Sequence, residues 1–300
     1  MKKFIFVCAF CIHLTGYSSA QVISSPKSTV LINNKNNREV SQNKIHAVET
    51  SNIILPKSEN TMLATPDSKY FALIIGINNY ADPEISQLDK PIYDAELFYN
   101  TLTANYTFEK ENIKFLRNAT NAQIVEALDY FARQVTNHDN FLIFYAGHGY
   151  WNSNSEIGYW IPSDAQKNST LNWFRNSALR DYLKDINSKH TLLITDACFG
   201  GSIFKSRAAF SGASIAVTKL YELTSRKAMT SGTLTEVPDQ SAFLKFLVER
   251  LSQNKEKYLS SEQLFSSFRI AVINNSNVVP QFGEIKDVGD EGGDFIFIHR

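Results

Sequence analysis

The stretch FLIFYAGHGYW, residues 141–151, carries five apolar residues straight into Ala146-Gly147-His148-Gly149. An unbroken apolar run of this length suits a strand buried on both faces, so residues 141–146 are predicted to form an inner strand of a parallel sheet. Such a strand ends on an imidazole held between two glycines. The pattern returns in LLITDACFGG, residues 192–201, where a second apolar run ends on Asp196-Ala197-Cys198 before two more glycines.

Outward from these two strands, strand and helix signals alternate. Residues 70–77 (YFALIIGI) form another continuous apolar run. Pro91 opens a helical pattern with Ile92, Ala95, Phe98 and Leu102 on one face. Residues 113–116 read as a short strand. Thr120 and Gln123 make a capping box ahead of a stripe of Ile124, Leu128, Phe131 and Val135. Strands are further predicted at 158–162, 191–195, 226–231 and 294–298. Helices are predicted through Leu179, Leu183 and Ile186 and near 240–252 and 261–273. This order implies an α/β fold with a mainly parallel central sheet covered by helices on both faces.

In such sheets ligands bind beyond the carboxyl ends of the strands. If the two glycine-flanked strands are neighbours, His148 and Cys198 meet at one rim. A Cys–His pair is a sufficient nucleophilic engine: the thiolate attacks, and the imidazole serves as base and then as acid. The backbone N–H groups of Gly149 and Cys198 are placed to hold an oxyanion. Thiolate, imidazole and backbone donors need no metal and no organic cofactor.

Composition narrows the alternatives. Lys+Arg and Asp+Glu both count 30, so the net charge is zero and the basic footprint of a nucleic-acid binder is missing. No nucleotide-binding glycine motif occurs, and no compact ligand pair supports a zinc hydrolase built on His148, Cys198 and Asp196. The N-terminus, MKKFIFVCAFCIHLTGYSSAQ, has a charged start, an apolar run and small residues at 18–20. It reads as a signal peptide over residues 1–20, too short to span a membrane, which predicts export to the periplasm or beyond. No integral membrane segment is expected after its removal. Cys8 and Cys11 leave with it, so Cys198 is the lone cysteine of the mature chain. Residues 21–66 contain seven Asn and no Gly, Phe, Tyr or Trp, the composition of a mobile linker or propeptide. The folded domain is expected over residues 67–300.

At this point the chain resembles the caspase and metacaspase family of cysteine peptidases. YAGHG is similar to that family's His-Gly motif and DACFGG to its nucleophile motif, with the His about 50 residues upstream. YFALIIGINNY, PIYDA, GYWIPSDA and GGDFIF look like bacterial members. The resemblance implies a three-layer α/β/α sandwich, a protein or peptide substrate, and catalysis by His148 and Cys198. It also implies substrate binding by Asp196, where animal caspases carry Gln, and by Asp94, which together favour Arg or Lys before the scissile bond. Phe199 stands where Arg is usual. Lys205 occupies the position of a carboxylate that some metacaspases use for calcium. The stretch 202–227, with Lys205, Arg207, Lys219, Arg226 and Lys227, lies where caspase-like chains are often cut into two subunits. The alternatives are a caspase-shaped, non-catalytic binding module and a peptidase with non-basic specificity.

Overall fold

The computed structural model describes residues 67–197, 203–204, 217–232 and 241–300. The expected signal peptide 1–20, the segment 21–66, Cys198, Phe199, Lys205 and Arg207 lie outside the described residues. In chain order the elements are β1 (Tyr70–Gly76), α1 (Pro91–Asn105), β2 (Ile113–Arg117), α2 (Asn121–Gln134), β3 (Asn140–Ala146), β4 (Gly149–Asn152), β5 (Ile157–Trp160), β6 (Phe174–Arg175), α3 (Asn176–Asp185), β7 (His190–Asp196), α4 (Val217–Glu222), β8 (Ser225–Thr230), α5 (Ala242–Gln253), β9 (Tyr258–Ser260), α6 (Ser261–Asn275), β10 (Gln281–Glu284) and β11 (Ile296–Ile298).

The main sheet runs β10-β8-β7-β3-β1-β2, parallel except for β10. The strands β1, β3 and β7 are buried along their whole length, with apolar runs at their centres and buried polar residues at the ends of β3 (Asn140) and β7 (His190, Thr191, Thr195 and Asp196). Alternate residues feed two cores. Ala72, Ile74, Leu142, Phe144, Leu192 and Ile194 pack with α1, α5 and α6. Leu73, Ile75, Phe141, Ile143, Tyr145 and Leu193 pack with α2 and α3. The molecule is therefore a three-layer α/β/α sandwich, as expected.

Local chemistry fixes the helix starts. Pro91 sits in the first turn of α1, and Gly76 makes room for that turn, since a Cβ at 76 would lie 2.8 Å from Ile92 Cα. The capping box of α2 is formed as the sequence implies: Gln123 N–H donates to Thr120 Oγ1 at 3.3 Å and Thr120 N–H donates to Gln123 Oε1 at 2.9 Å. Asp164 accepts from Asn121 N–H at 2.9 Å, so it holds the same helix start.

The last strand, β11, lies within the predicted 294–298 and pairs with β9, outside the main sheet. One stretch departs from the sequence reading. Residues 217–227, read as part of a cleavable stretch, are folded. Lys219 lies in α4, while Arg226 and Lys227 lie in inner strand β8. The Arg226 guanidinium is buried against the carbonyls of Ser188 (2.7 Å), Ser225 (2.8 Å) and Lys189 (3.2 Å). Among the described residues no helix is long and apolar enough to cross a membrane.

Candidate active site at the carboxyl rim of the sheet

The strand order places β1 between β2 and β3, so the crossover from β1 to β2 and the one from β2 to β3 run in opposite directions along the sheet. That reversal opens a crevice beyond the carboxyl ends of β1 and β3. The register is level there: Gly76 pairs with Ala146, and Ala146 pairs with Asp196. His148 therefore stands two residues past the rim on β3. Cys198 lies outside the described residues; in the sequence it follows Asp196, the last residue of the adjacent β7, by two.

His148 is clamped by the loop that follows β1. Its Nε2 lies 2.8 Å from the carbonyl oxygen of Ser86. A carbonyl only accepts, so Nε2 carries the proton and Nδ1 of the neutral ring keeps the lone pair. The His148 N–H donates to Tyr80 Oη at 2.9 Å, and the two rings pack at 4.9 Å. On the other side the Tyr145 hydroxyl donates to the His148 carbonyl at 2.6 Å. Gly147 leaves space for both tyrosines: a Cβ there would meet Tyr145 Oη at 3.0 Å and Tyr80 Oη at 3.2 Å.

The loop doing the clamping is itself tied down. Gln87 accepts from Tyr80 N–H at 2.8 Å and donates back to the Tyr80 carbonyl at 3.0 Å. Asn78 Oδ1 accepts from Ile92 N–H at 2.8 Å, joining the loop to the start of α1.

Gly149 opens β4, an edge strand of the small sheet β4-β5-β6. Gly149 pairs with Trp160, while Ile161 N–H donates to the His148 carbonyl at 3.1 Å. That bond sets the phase of the antiparallel ladder, so Gly149 sits in a non-hydrogen-bonded pair. Its N–H points away from β5, on the open edge beside His148.

Asp196 ends β7 and is only 7% exposed. Its Oδ1 is buried and makes no hydrogen bond among the described residues. Burial pushes its carboxyl above the ordinary carboxylate range, and the nearby hydroxyls of Ser241 and Ser231 pull it partly back. Asp94, in the first turn of α1, lines a cavity of about 420 Å³ together with Ser241, Tyr93, Phe246, Lys90 and Lys245. Ser241 thus stands between the two acidic residues, facing the Asp196 carboxylate and lining the Asp94 cavity.

Sequence reasoning missed Ser86, Tyr80 and Ser241. Ser86 acts through its main chain, which no residue type reveals. Ser241 carried a readable signal, since its side chain caps α5 by accepting from Leu244 N–H at 3.0 Å. Among the described residues, His138, His190 and His299 stay outside the site, as expected. His190, for one, is a core residue whose imidazole burial pushes down to about 3, with its ring nitrogens on Ser225 Oγ (3.0 Å) and the Tyr221 carbonyl (3.1 Å). His46 lies outside the described residues.

Comparison with known proteins gives a consistent picture. The family model described as the caspase domain matches residues 69–286. The crystal structure of protein GSU0716 from Geobacter sulfurreducens superposes with a TM-score of 0.51 at 18% identity, covering 76% of this chain and 99% of that one. Caspase-1 from Spodoptera frugiperda superposes with a TM-score of 0.53 at 13% identity, covering 73% of this chain and 87% of that one. No curated protein sequence matches the chain.

Proposed function

Because the chain belongs to the caspase-domain family, we propose that it is an exported cysteine endopeptidase that uses a Cys198–His148 dyad and cuts after Arg or Lys. Family membership supports cysteine-peptidase chemistry in general. The observation that carries the finer reading is the clamped imidazole, whose Nε2 is committed to the Ser86 carbonyl just past the end of β3, the strand paired with β7.

In this reading Nδ1 of His148 takes the Cys198 thiol proton. The sulfur then bonds to the scissile carbonyl carbon, whose oxygen becomes an oxyanion accepting from the Gly149 and Cys198 N–H groups. As the tetrahedral adduct collapses, the C–N bond breaks and Nδ1–H passes its proton to the departing amine. Water, deprotonated by the same nitrogen, hydrolyses the thioester and restores the thiol. Asp94 and the buried Asp196 carboxylate, whose Oδ1 makes no hydrogen bond among the described residues, attract a cationic side chain on the acyl side. Export rests on the signal-like residues 1–20.

The decisive experiment is a fluorogenic peptide panel on mature protein with Cys198→Ala as control. Cleavage after Arg or Lys that is lost in the variant is expected; equal cleavage by the variant overturns the dyad. A second reading, non-basic specificity, has one observation in its favour: Lys90 and Lys245 line the same cavity as Asp94. The same panel separates the two.

A further inference from the structure

A further surface of the site follows from the peptidase reading, on which it rests. The group that protonates the departing amine must lie on the leaving-group side of the substrate, so the chain beyond the scissile bond leaves over His148. The acyl-side cavity is lined from α1 and α5, in the helix layer on one side of the main sheet. The small sheet packs with the opposite layer, through Tyr159, Trp160, Ile161 and Phe174. His148 stands at the rim between them.

The small sheet presents an aromatic face there. The β4–β5 ladder extends to His148 through the Ile161 N–H bond. Side chains two residues apart on an extended chain rise from one face, so His148 and Tyr150 flank Gly149 on the same face, about 7 Å apart. Tyr150 is 45% exposed. Its ring meets Trp173 at 5.0 Å and Tyr159 at 6.4 Å. Tyr159 lies opposite Tyr150 in register, is buried, and packs edge-on to Trp173 at 5.4 Å, so it floors the pair. Leu171, two residues before Trp173, is 85% exposed. The other face of this sheet is closed, with fully buried Trp160 stacked on Tyr145 at 4.4 Å.

We propose that Tyr150 and Trp173, floored by Tyr159, form a subsite for the part of a peptide substrate that follows the scissile bond. The subsite seats an apolar or aromatic side chain one or two residues beyond the departing amine. An extended peptide advances about 3.3 Å per residue, which carries its second residue past the bond to the level of Tyr150.

Internally quenched peptides test this, sharing one acyl side and carrying Tyr, Leu, Gly or Asp in the two positions after the bond. Wild type is expected to turn over the Tyr and Leu peptides with kcat/KM about 3- to 10-fold above the Gly peptide, the range of one aromatic contact. Tyr150→Ala should bring that ratio close to one, and Tyr150→Phe should keep it. A ratio near one in wild type, or one that survives in Tyr150→Ala, overturns the subsite. So does a change in sedimentation of Tyr150→Ala with the ratio intact, which would mean that a second copy covers the patch. Cleavage indifferent to these residues defeats the subsite alone. No cleavage of any peptide, with no iodoacetamide labelling of Cys198, defeats the peptidase reading and the subsite with it.

Discussion

The Nε2 atom of His148 lies 2.8 Å from the carbonyl oxygen of Ser86, and the His148 N–H rests on Tyr80 Oη at 2.9 Å. One loop, residues 77–90, therefore orients both the ring and the main chain of the candidate acid–base residue. Tyr80→Phe removes the second contact while keeping the ring packing. A net hydrogen bond is worth about 1 kcal/mol, so kcat is expected to fall roughly 5-fold with KM nearly constant. Iodoacetamide labelling of Cys198 should slow in parallel. An unchanged labelling rate and kcat would mean that Tyr80 only packs.

Gly147 is predicted to resist substitution for steric reasons. A methyl group there meets two tyrosine hydroxyls that both hold His148, at 3.0 Å and 3.2 Å. Gly147→Ala should cost about 1–3 kcal/mol of stability and lose more activity than Tyr80→Phe. Urea unfolding midpoints and peptide turnover on the same preparation check both halves.

The central strands were legible because strands buried on both faces carry apolar runs, as in 70–77, 141–146 and the Leu192–Ile194 centre of 191–195, where Thr191 and Thr195 are buried as well. The longer helices α1, α2, α3, α5 and α6 were legible because each buries one stripe, whereas the six-residue α4 was not. What escaped was set by distant partners. β4 is four residues long and half-exposed, so it shows no alternation strong enough to read. β10 has four residues and β9 three, and the choice of β11 to pair with β9 is a long-range decision. At the site, His148 and Asp196 were found because strand ends flanked by glycine or small residues stand out. The Ser86 carbonyl and the Tyr80 hydroxyl sit in a polar loop whose shape depends on the Gln87 and Asn78 side-chain bonds.

If the protein cuts itself, the position of the cut is constrained. Arg226 and Lys227 are inner-strand residues, and Lys219 is in α4. A protease needs an extended, accessible segment, which β8 cannot supply without unpairing from β7 and β10. Intact-mass measurement of wild type against Cys198→Ala is expected to show any self-cleavage after Lys205 or Arg207 and none after Arg226 or Lys227. A cut at either strand residue would show that the sheet opens.

The buried Asp196 carboxyl links specificity to pH. Burial raises its titration in the folded chain above the unfolded carboxylate value of about 4. The folded state then holds an extra proton between those two values, so stability falls as pH rises through that window and levels off above it. Asp196→Asn removes this slope. The urea midpoint of the variant relative to wild type should therefore rise from pH 3 toward neutrality; Asp294, also raised by burial, contributes equally to both proteins and cancels. Activity should run the opposite way. A cationic side chain before the scissile bond needs the ionised carboxylate, so wild-type turnover of an Arg peptide should climb with pH across the same window, relative to a Leu peptide. Hydrogen bonds to charged groups are worth about 1.5–3 kcal/mol, which makes the expected loss of Arg-over-Leu preference in Asp196→Asn roughly 10- to 100-fold. Lys245→Ala, which removes a charge of the same sign as the Arg side chain from the cavity lined by Asp94, should move the preference toward Arg by a few-fold. A variant at Asp196 that keeps full Arg preference would place specificity elsewhere. A wild type that prefers Leu would assign the cavity to its two lysines.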